Sequence, residues 1–194
     1  TLAINTKLST LTVGDWLLID KNNKLIQTLD RFSLFSRKSA GSKVALQLIA
    51  ANVNTAFIVC SLDGNFNLSR IERYLALVNS AGVEPVIVLT KADSCEDVHA
   101  YVEQVQSLDA MLMVEAVDAR DVISTKVLGS WCSTGKTVVF LGSSGVGKST
   151  LVNTLLNVKI QVTSPSRADD NRGRHTTTSR SLHMMSAGGL LLDT

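Results

Sequence analysis

Gly142-Ser143-Ser144-Gly145-Val146-Gly147-Lys148-Ser149 fits the pattern G-x-x-x-x-G-K-[ST] at every fixed position. Its surroundings agree with a phosphate loop. Val138-Val139-Phe140-Leu141 reads as a buried strand running in, and Ser149 to Leu156 as a helix running out. The residue types follow from the chemistry. Gly142, Gly145 and Gly147 free the backbone to turn N–H groups toward phosphate oxygens. The helix start adds a positive dipole end. Lys148 is expected to reach the β- and γ-phosphates, and the Ser149 hydroxyl to ligate Mg²⁺. Ser143, Ser144, Val146 and Thr150 complete the candidate phosphate contacts.

Working outward, the chain alternates strand and helix. Ala56-Phe57-Ile58-Val59-Cys60 and Val86-Ile87-Val88-Leu89 are continuous apolar runs, as strands buried on both faces require. Between them, Leu68, Ile71, Leu75 and Val78 recur at helical spacing, with Ser69 and Glu72 as a candidate capping box. Asp97 to Leu108 reads as a helix and Met111 to Val117 as a third strand. Ser181 to Met185 and Leu190 to Leu192 read as a hairpin turning at Ala187-Gly188. This order implies an α/β fold with a mostly parallel sheet covered by helices. The first thirty residues differ. They read as short strands and turns, too few to close a barrel. From Arg31 to Lys43 the chain carries Arg31, Arg37, Lys38 and Lys43 around Phe32 and Phe35, with no acid. The domain boundary is placed near residue 43, giving residues 1–43 and 44–194.

A second motif follows the second buried strand. Thr90-Lys91-Ala92-Asp93 stands at the strand end, where α/β sheets bind ligands. A carboxylate there can accept from the N1–H and 2-amino groups of guanine, which adenine lacks in that arrangement, so Asp93 would select GTP over ATP. The Lys91 stem would pack beside the base. An N-cap by Asp93 is the bland alternative.

The motif order is unusual. The base-reading motif precedes the phosphate loop, and Gly173-Arg174-His175-Thr176-Thr177-Thr178 and Asp193-Thr194 come after it. With Gln47 to Val53, Asn67 to Leu75 and Thr150 to Asn153, this chain resembles the ribosome small subunit-dependent GTPase A family, a circularly permuted GTPase. The resemblance implies a P-loop NTPase sheet preceded by part of an all-β OB-fold barrel, and a C-terminal zinc module. No Cys/His cluster is present here, so zinc is expected only outside this sequence. It also implies GTP and GDP as ligands with Mg²⁺, and GTP hydrolysis stimulated by the small (30S) ribosomal subunit late in its maturation. The 16S rRNA is the implied nucleic-acid partner, and a monomer the implied state. Asp193 would hold Mg²⁺ through water, and Thr177 or Thr178 would join it when γ-phosphate is present. The family has an apolar residue where many GTPases carry a water-orienting Gln. His175 is therefore the candidate for that role, an RNA contact being the alternative. The fifth guanine motif aligns equally with Asp118-Ala119 or Glu115-Ala116.

Composition sets the remaining bounds. The 194 residues are 45% hydrophobic and 19% charged, enough for a sizeable core. A net charge of +2 is too small to argue nucleic-acid binding by itself, so any RNA site must come from the Arg31–Lys43 patch. Cys60, Cys95 and Cys132 show no framework spacing and fit a reducing cytoplasm. No apolar run is long enough to span a membrane. The chain ends at Asp193-Thr194, directly after a core strand, and is expected to be part of a longer protein. Two rivals remain. One is a nucleotide-gated RNA-binding module with incidental turnover. The other is a P-loop ATPase or kinase in which Thr90–Asp93 is coincidental.

Overall fold

The computed structural model describes residues 11–38, 46–157 and 181–193. Its centre is a six-stranded sheet in the order β7-β6-β5-β8-β10-β9. The strands are β5 (Thr55–Ser61), β6 (Glu84–Thr90), β7 (Met113–Val117), β8 (Thr137–Leu141), β9 (Ser181–Met184) and β10 (Leu190–Asp193). Every neighbouring pair is parallel except β9 with β10, which form the hairpin read from the sequence. Counting from β8 and wrapping past β10 to β5 makes the spatial order second, third, first, fourth, fifth, sixth. The expected permutation of the P-loop NTPase sheet is thus visible in the strand order alone.

All seven residues of β5 are buried. Alternate side chains serve opposite layers, which is why the run is continuously apolar. Ile58, Cys60, Ile87 and Leu89 face Ile71 and Val78 of α1 (Leu68–Ser80) and Val105 of α2 (Val98–Gln106). Phe57, Val59, Val86, Val88 and Phe140 pack on the other side with Leu128, Leu151 and Val152. The last two belong to α4 (Lys148–Leu156), and α3 (Val122–Thr125) precedes it in the chain. Helix α1 starts two residues earlier than the Ser69–Glu72 capping box requires. Asn67 is its N-cap, because its side chain accepts from the Arg70 N–H at 2.9 Å. Asp97 caps α2 in the same way.

The N-terminal residues form two antiparallel pairs. One joins β1 (Leu17–Ile19) to β2 (Leu25–Thr28), with Asp20 taking the N–H groups of Asn22 and Lys24 in the turn. The other joins β3 (Leu34–Lys38) to β4 (Leu46–Ala51), a strand not anticipated from its sequence. This second pair straddles residue 43. Residues 31–36 are fastened to the core and do not form a free linker. Arg31 forks onto Asp15 at 2.6 and 2.8 Å, and Ser33 exchanges hydrogen bonds with Val53 through N–H and carbonyl. Phe35 is 2% exposed inside the main core, whereas Phe32 remains 59% exposed. Among the described residues no helix is long and apolar enough to cross a membrane.

The layer between sheet and α1 makes a stability prediction. Ile71→Ala empties a 1% exposed site and lowers unfolding free energy by about 2–5 kcal/mol in a urea titration. Ile123→Ala, at an 82% exposed position, changes it by less than about 0.5 kcal/mol.

Candidate functional site

Parallel pairing sends the C-terminal ends of five strands to one edge of the sheet. The phosphate loop leaves β8 there, Lys91 to Asp93 leave β6, and Asp118-Ala119 leave β7. The backbone of Asp193 closes β10 on the same edge, one strand away from β8. From β5 the chain crosses to β6 on one side, while β8 lies on the other. The phosphate loop therefore sits at the point where strand order reverses, the usual ligand crevice of such sheets.

The loop itself needs its glycines. Gly142 has φ +151°, and a Cβ there would stand 2.4 Å from the Val59 carbonyl oxygen. Gly147 has φ +93° and opens α4 without a side-chain cap. Val146 is 2% exposed and anchors the loop in the core. Its carbonyl accepts from the buried Thr90 hydroxyl at 2.7 Å. The Cys60 carbonyl is a second, longer acceptor of the same hydroxyl at 3.4 Å. Lys148 Nζ folds back over the loop onto the carbonyls of Gly142, at 2.7 Å, and Ser143. From α1, Arg70 Nη1 donates to Ser143 Oγ at 2.8 Å, a support not anticipated from the sequence. Among the described residues, no protein acceptor takes the N–H groups of Gly145, Gly147 or Ser149. N–H groups without a protein acceptor among the described residues, a lysine and a helix start are the parts that a phosphate cradle requires. Ser149 and Thr150 follow, half-buried, in the first turn of α4.

Beside the loop, Lys91 adopts φ +61° and reaches Asp63 at 2.6 Å. Burial pushes the Asp63 carboxyl up, but bonds from Lys91, the Asn65 N–H and Ser61 outweigh it and hold it below 3.8. Two residues on, Asp93 lies in a short 3₁₀ turn (Ala92–Ser94), partly open to solvent. Its Oδ2 accepts from Ser94 Oγ and from Arg120 Nη2. Asp118-Ala119 directly follow β7, whereas Glu115-Ala116 lie inside that strand. Arg120 links Asp118 to Asp93, and so connects Asp118-Ala119, of the two alignments, to the Asp93 carboxylate. The backbone N–H of Arg120 and its side chain keep the Asp118 carboxyl below its ordinary value.

His175, Thr177 and Thr178 lie outside the described residues, as does the side chain of Asp193. Among the described residues no group of three or more His, Cys, Asp or Glu could hold a metal ion. The cysteines take no part. Burial raises the Cys60 thiol and lifts Cys132 to about 12. Asp63, Arg70 and Arg120 were the functional neighbours that pattern reading missed. None belongs to a spaced motif, and only the fold brings them to the edge.

The RsgA GTPase family model matches residues 28–194. The chain is 61% identical over 193 residues to the small ribosomal subunit biogenesis GTPase RsgA 2 of Vibrio parahaemolyticus, covering all of this chain and 54% of that protein. It is 50% identical over 183 residues to the small ribosomal subunit biogenesis GTPase RsgA of Xylella fastidiosa strain 9a5c, covering 94% of this chain and 53% of that protein. The chain therefore spans about half the length of the curated relatives it matches. Among solved structures, YjeQ from Thermotoga maritima superposes with a TM-score of 0.69 at 21% identity, over all of this chain and 64% of its own. YloQ, described as a circularly permuted GTPase, gives 0.65 at 23% identity, over 95% of this chain and 57% of its own. At such identities these two speak to the fold.

The Asp63–Lys91 pair carries a pH dependence. A carboxyl held low in the folded state stabilises above its unfolded value and loses that contribution as pH falls through the folded one. Stability of the native chain is expected to decline as pH drops below 3.8. In Asp63→Asn that decline is shallower, as read by denaturant titration from pH 5 downward.

Proposed function

The chain belongs to the RsgA GTPase family, and from that premise we propose that it binds GTP with Mg²⁺ and hydrolyses it in the service of small-subunit assembly. One observation carries the nucleotide reading. A candidate guanine-reading loop and a phosphate loop leave β6 and β8, parallel strands on either side of β5, and are joined across it by the Thr90–Val146 hydrogen bond. Asp93 accepts from the guanine edge, and the stem of Lys91 packs beside the base. Asp118-Ala119 serves as the fifth guanine motif, its Ala119 N–H facing the base carbonyl. The amides from Ser143 to Thr150 surround the phosphates, with Lys148 over the β- and γ-phosphates.

Mg²⁺ would be held by Ser149, by Asp193 through water, and by Thr177 or Thr178, and would neutralise charge on the transferred phosphoryl group. His175 orients the attacking water as a hydrogen-bond acceptor near neutral pH. No covalent intermediate is needed, since positioning and electrostatics suffice for phosphoryl transfer. Adenine offers Asp93 no matching pair of donors, which sets this reading apart from a P-loop ATPase or kinase.

The partner is the small (30S) ribosomal subunit with its 16S rRNA. The names of the relatives, small ribosomal subunit biogenesis GTPases, support this. Residues 1–43 act as part of an OB-fold barrel on the RNA side, with residues 44–194 as the GTPase. Exposed Trp16, Ile26 and Phe32 are suited to stacking or to covering by further chain. The protein works as a cytoplasmic monomer, and any zinc belongs to a C-terminal module beyond residue 194.

The test is phosphate release from GTP and ATP by the full-length protein, with and without purified 30S subunits. GTP-selective turnover raised many-fold by 30S is the expected result. GTP binding without stimulated turnover would favour a nucleotide-gated RNA-binding module, and equal use of ATP would refute guanine selection. In the same assay, Asp93→Asn weakens GTP binding by about tenfold or more, the loss of a charge-assisted hydrogen bond.

A further inference from the structure

The carboxylate that would read guanine is already engaged by a side chain of its own protein. Asp93 Oδ2 accepts from Arg120 Nη2 at 2.7 Å and from Ser94 Oγ at 3.1 Å. An oxygen of this kind has two lone pairs, so Oδ2 is filled. Only Oδ1 accepts no bond among the described residues. The guanine edge presents two donors side by side, N1–H and the 2-amino group, and a bidentate fit uses one carboxylate oxygen for each. Base and guanidinium therefore make overlapping demands on one group.

Of the two occupants of Oδ2, Arg120 is the one built to leave. Its side chain is 71% exposed. It also has a second hold on the protein, because Nε and the backbone N–H both donate to Asp118 Oδ1, at 3.2 and 2.9 Å. Giving up Asp93 would leave the guanidinium tethered beside the site by Asp118. Giving up Asp118 as well is unnecessary. We propose that Arg120 competes with the guanine edge for Asp93 and thereby sets the affinity of the site for guanine nucleotides. The proposal rests on the guanine reading of Asp93. When the base binds, the guanidinium swings to Asp118 alone. When the base leaves, it reclaims Asp93, which favours release of product. Asp118 directly follows β7, and Asp93 lies in the 3₁₀ turn three residues past β6, so the loops after two paired strands supply the two anchors of the arginine.

An exposed ion pair is weak, so the effect is modest. In calorimetric titrations of the full-length chain with GDP, Arg120→Ala is expected to tighten binding by about two- to fivefold. Arg120→Gln, which keeps a polar but shorter and uncharged side chain, is expected to do the same. In an Asp93→Asn background, where the contested carboxylate is gone, removing Arg120 leaves GDP affinity unchanged. Weaker GDP binding by Arg120→Ala would overturn the proposal, since the guanidinium would then be supporting the base. Unchanged affinity would overturn it too, as would a gain that persists in the Asp93→Asn background. ADP separates this failure from failure of the underlying reading. Equal binding of GDP and ADP by the unaltered chain overturns guanine selection and this proposal together. GDP preference with any of the contrary Arg120 results overturns this proposal alone.

Discussion

The Thr90 hydroxyl on the Val146 carbonyl is the contact on which the site depends. Both groups are buried, so an unmade bond would leave a polar group without water. One end closes the strand that presents the base-reading loop, and the other is the buried residue of the phosphate loop. A single 2.7 Å bond therefore ties together the two loops that, in the proposed function, hold opposite ends of one nucleotide. Residues around it reinforce the same geometry. The Leu62 N–H donates to the Thr90 carbonyl, Lys91 is held by Asp63, and Arg70 reaches Ser143 from the far helix.

That contact exists only because the sheet is parallel where it matters. Strands β5, β6, β7, β8 and β10 all deliver their C-terminal ends to one edge. Chain order is then immaterial to the site. Permutation moves the ends of the chain and leaves the edge assembled, so motifs at 90 and 142 meet as they would in the opposite order. Energetically the edge is supported by a core on each face, with Phe57 and Ile58 serving opposite layers from adjacent positions.

Much of this was legible in the sequence because it rests on local chemistry. Continuous runs such as 56–60 and 86–89 announce doubly buried strands. The fixed positions from Gly142 to Ser149 announce a loop that only glycine permits, and Gly142 meets that demand at the Val59 carbonyl. What could not be read depends on distant pairing. Strand β4 carries no alternation and is defined by its partner β3, so no strand was read beside the basic stretch from Arg31 to Lys43. The side chain of Arg31 looked like a free cation, yet Asp15, sixteen residues earlier, neutralises it. The end of β7 at Val117 was read correctly from the sequence, but that Arg120 links Asp118 to Asp93 was not. Arg120 has no motif at all and becomes meaningful only across 27 residues from Asp93.

The most direct test of this account is the GDP affinity of Thr90→Val beside that of Thr90→Ser, with folding checked by circular dichroism. Valine keeps the volume and removes the hydroxyl, whereas serine keeps the hydroxyl. If one bond holds the two halves of the site in register, Thr90→Val stays folded and binds GDP about tenfold more weakly, the order expected for an unsatisfied buried carbonyl, and Thr90→Ser recovers most of that loss. Native affinity in Thr90→Val would contradict the account, because the base and phosphate loops would then be positioned independently of each other.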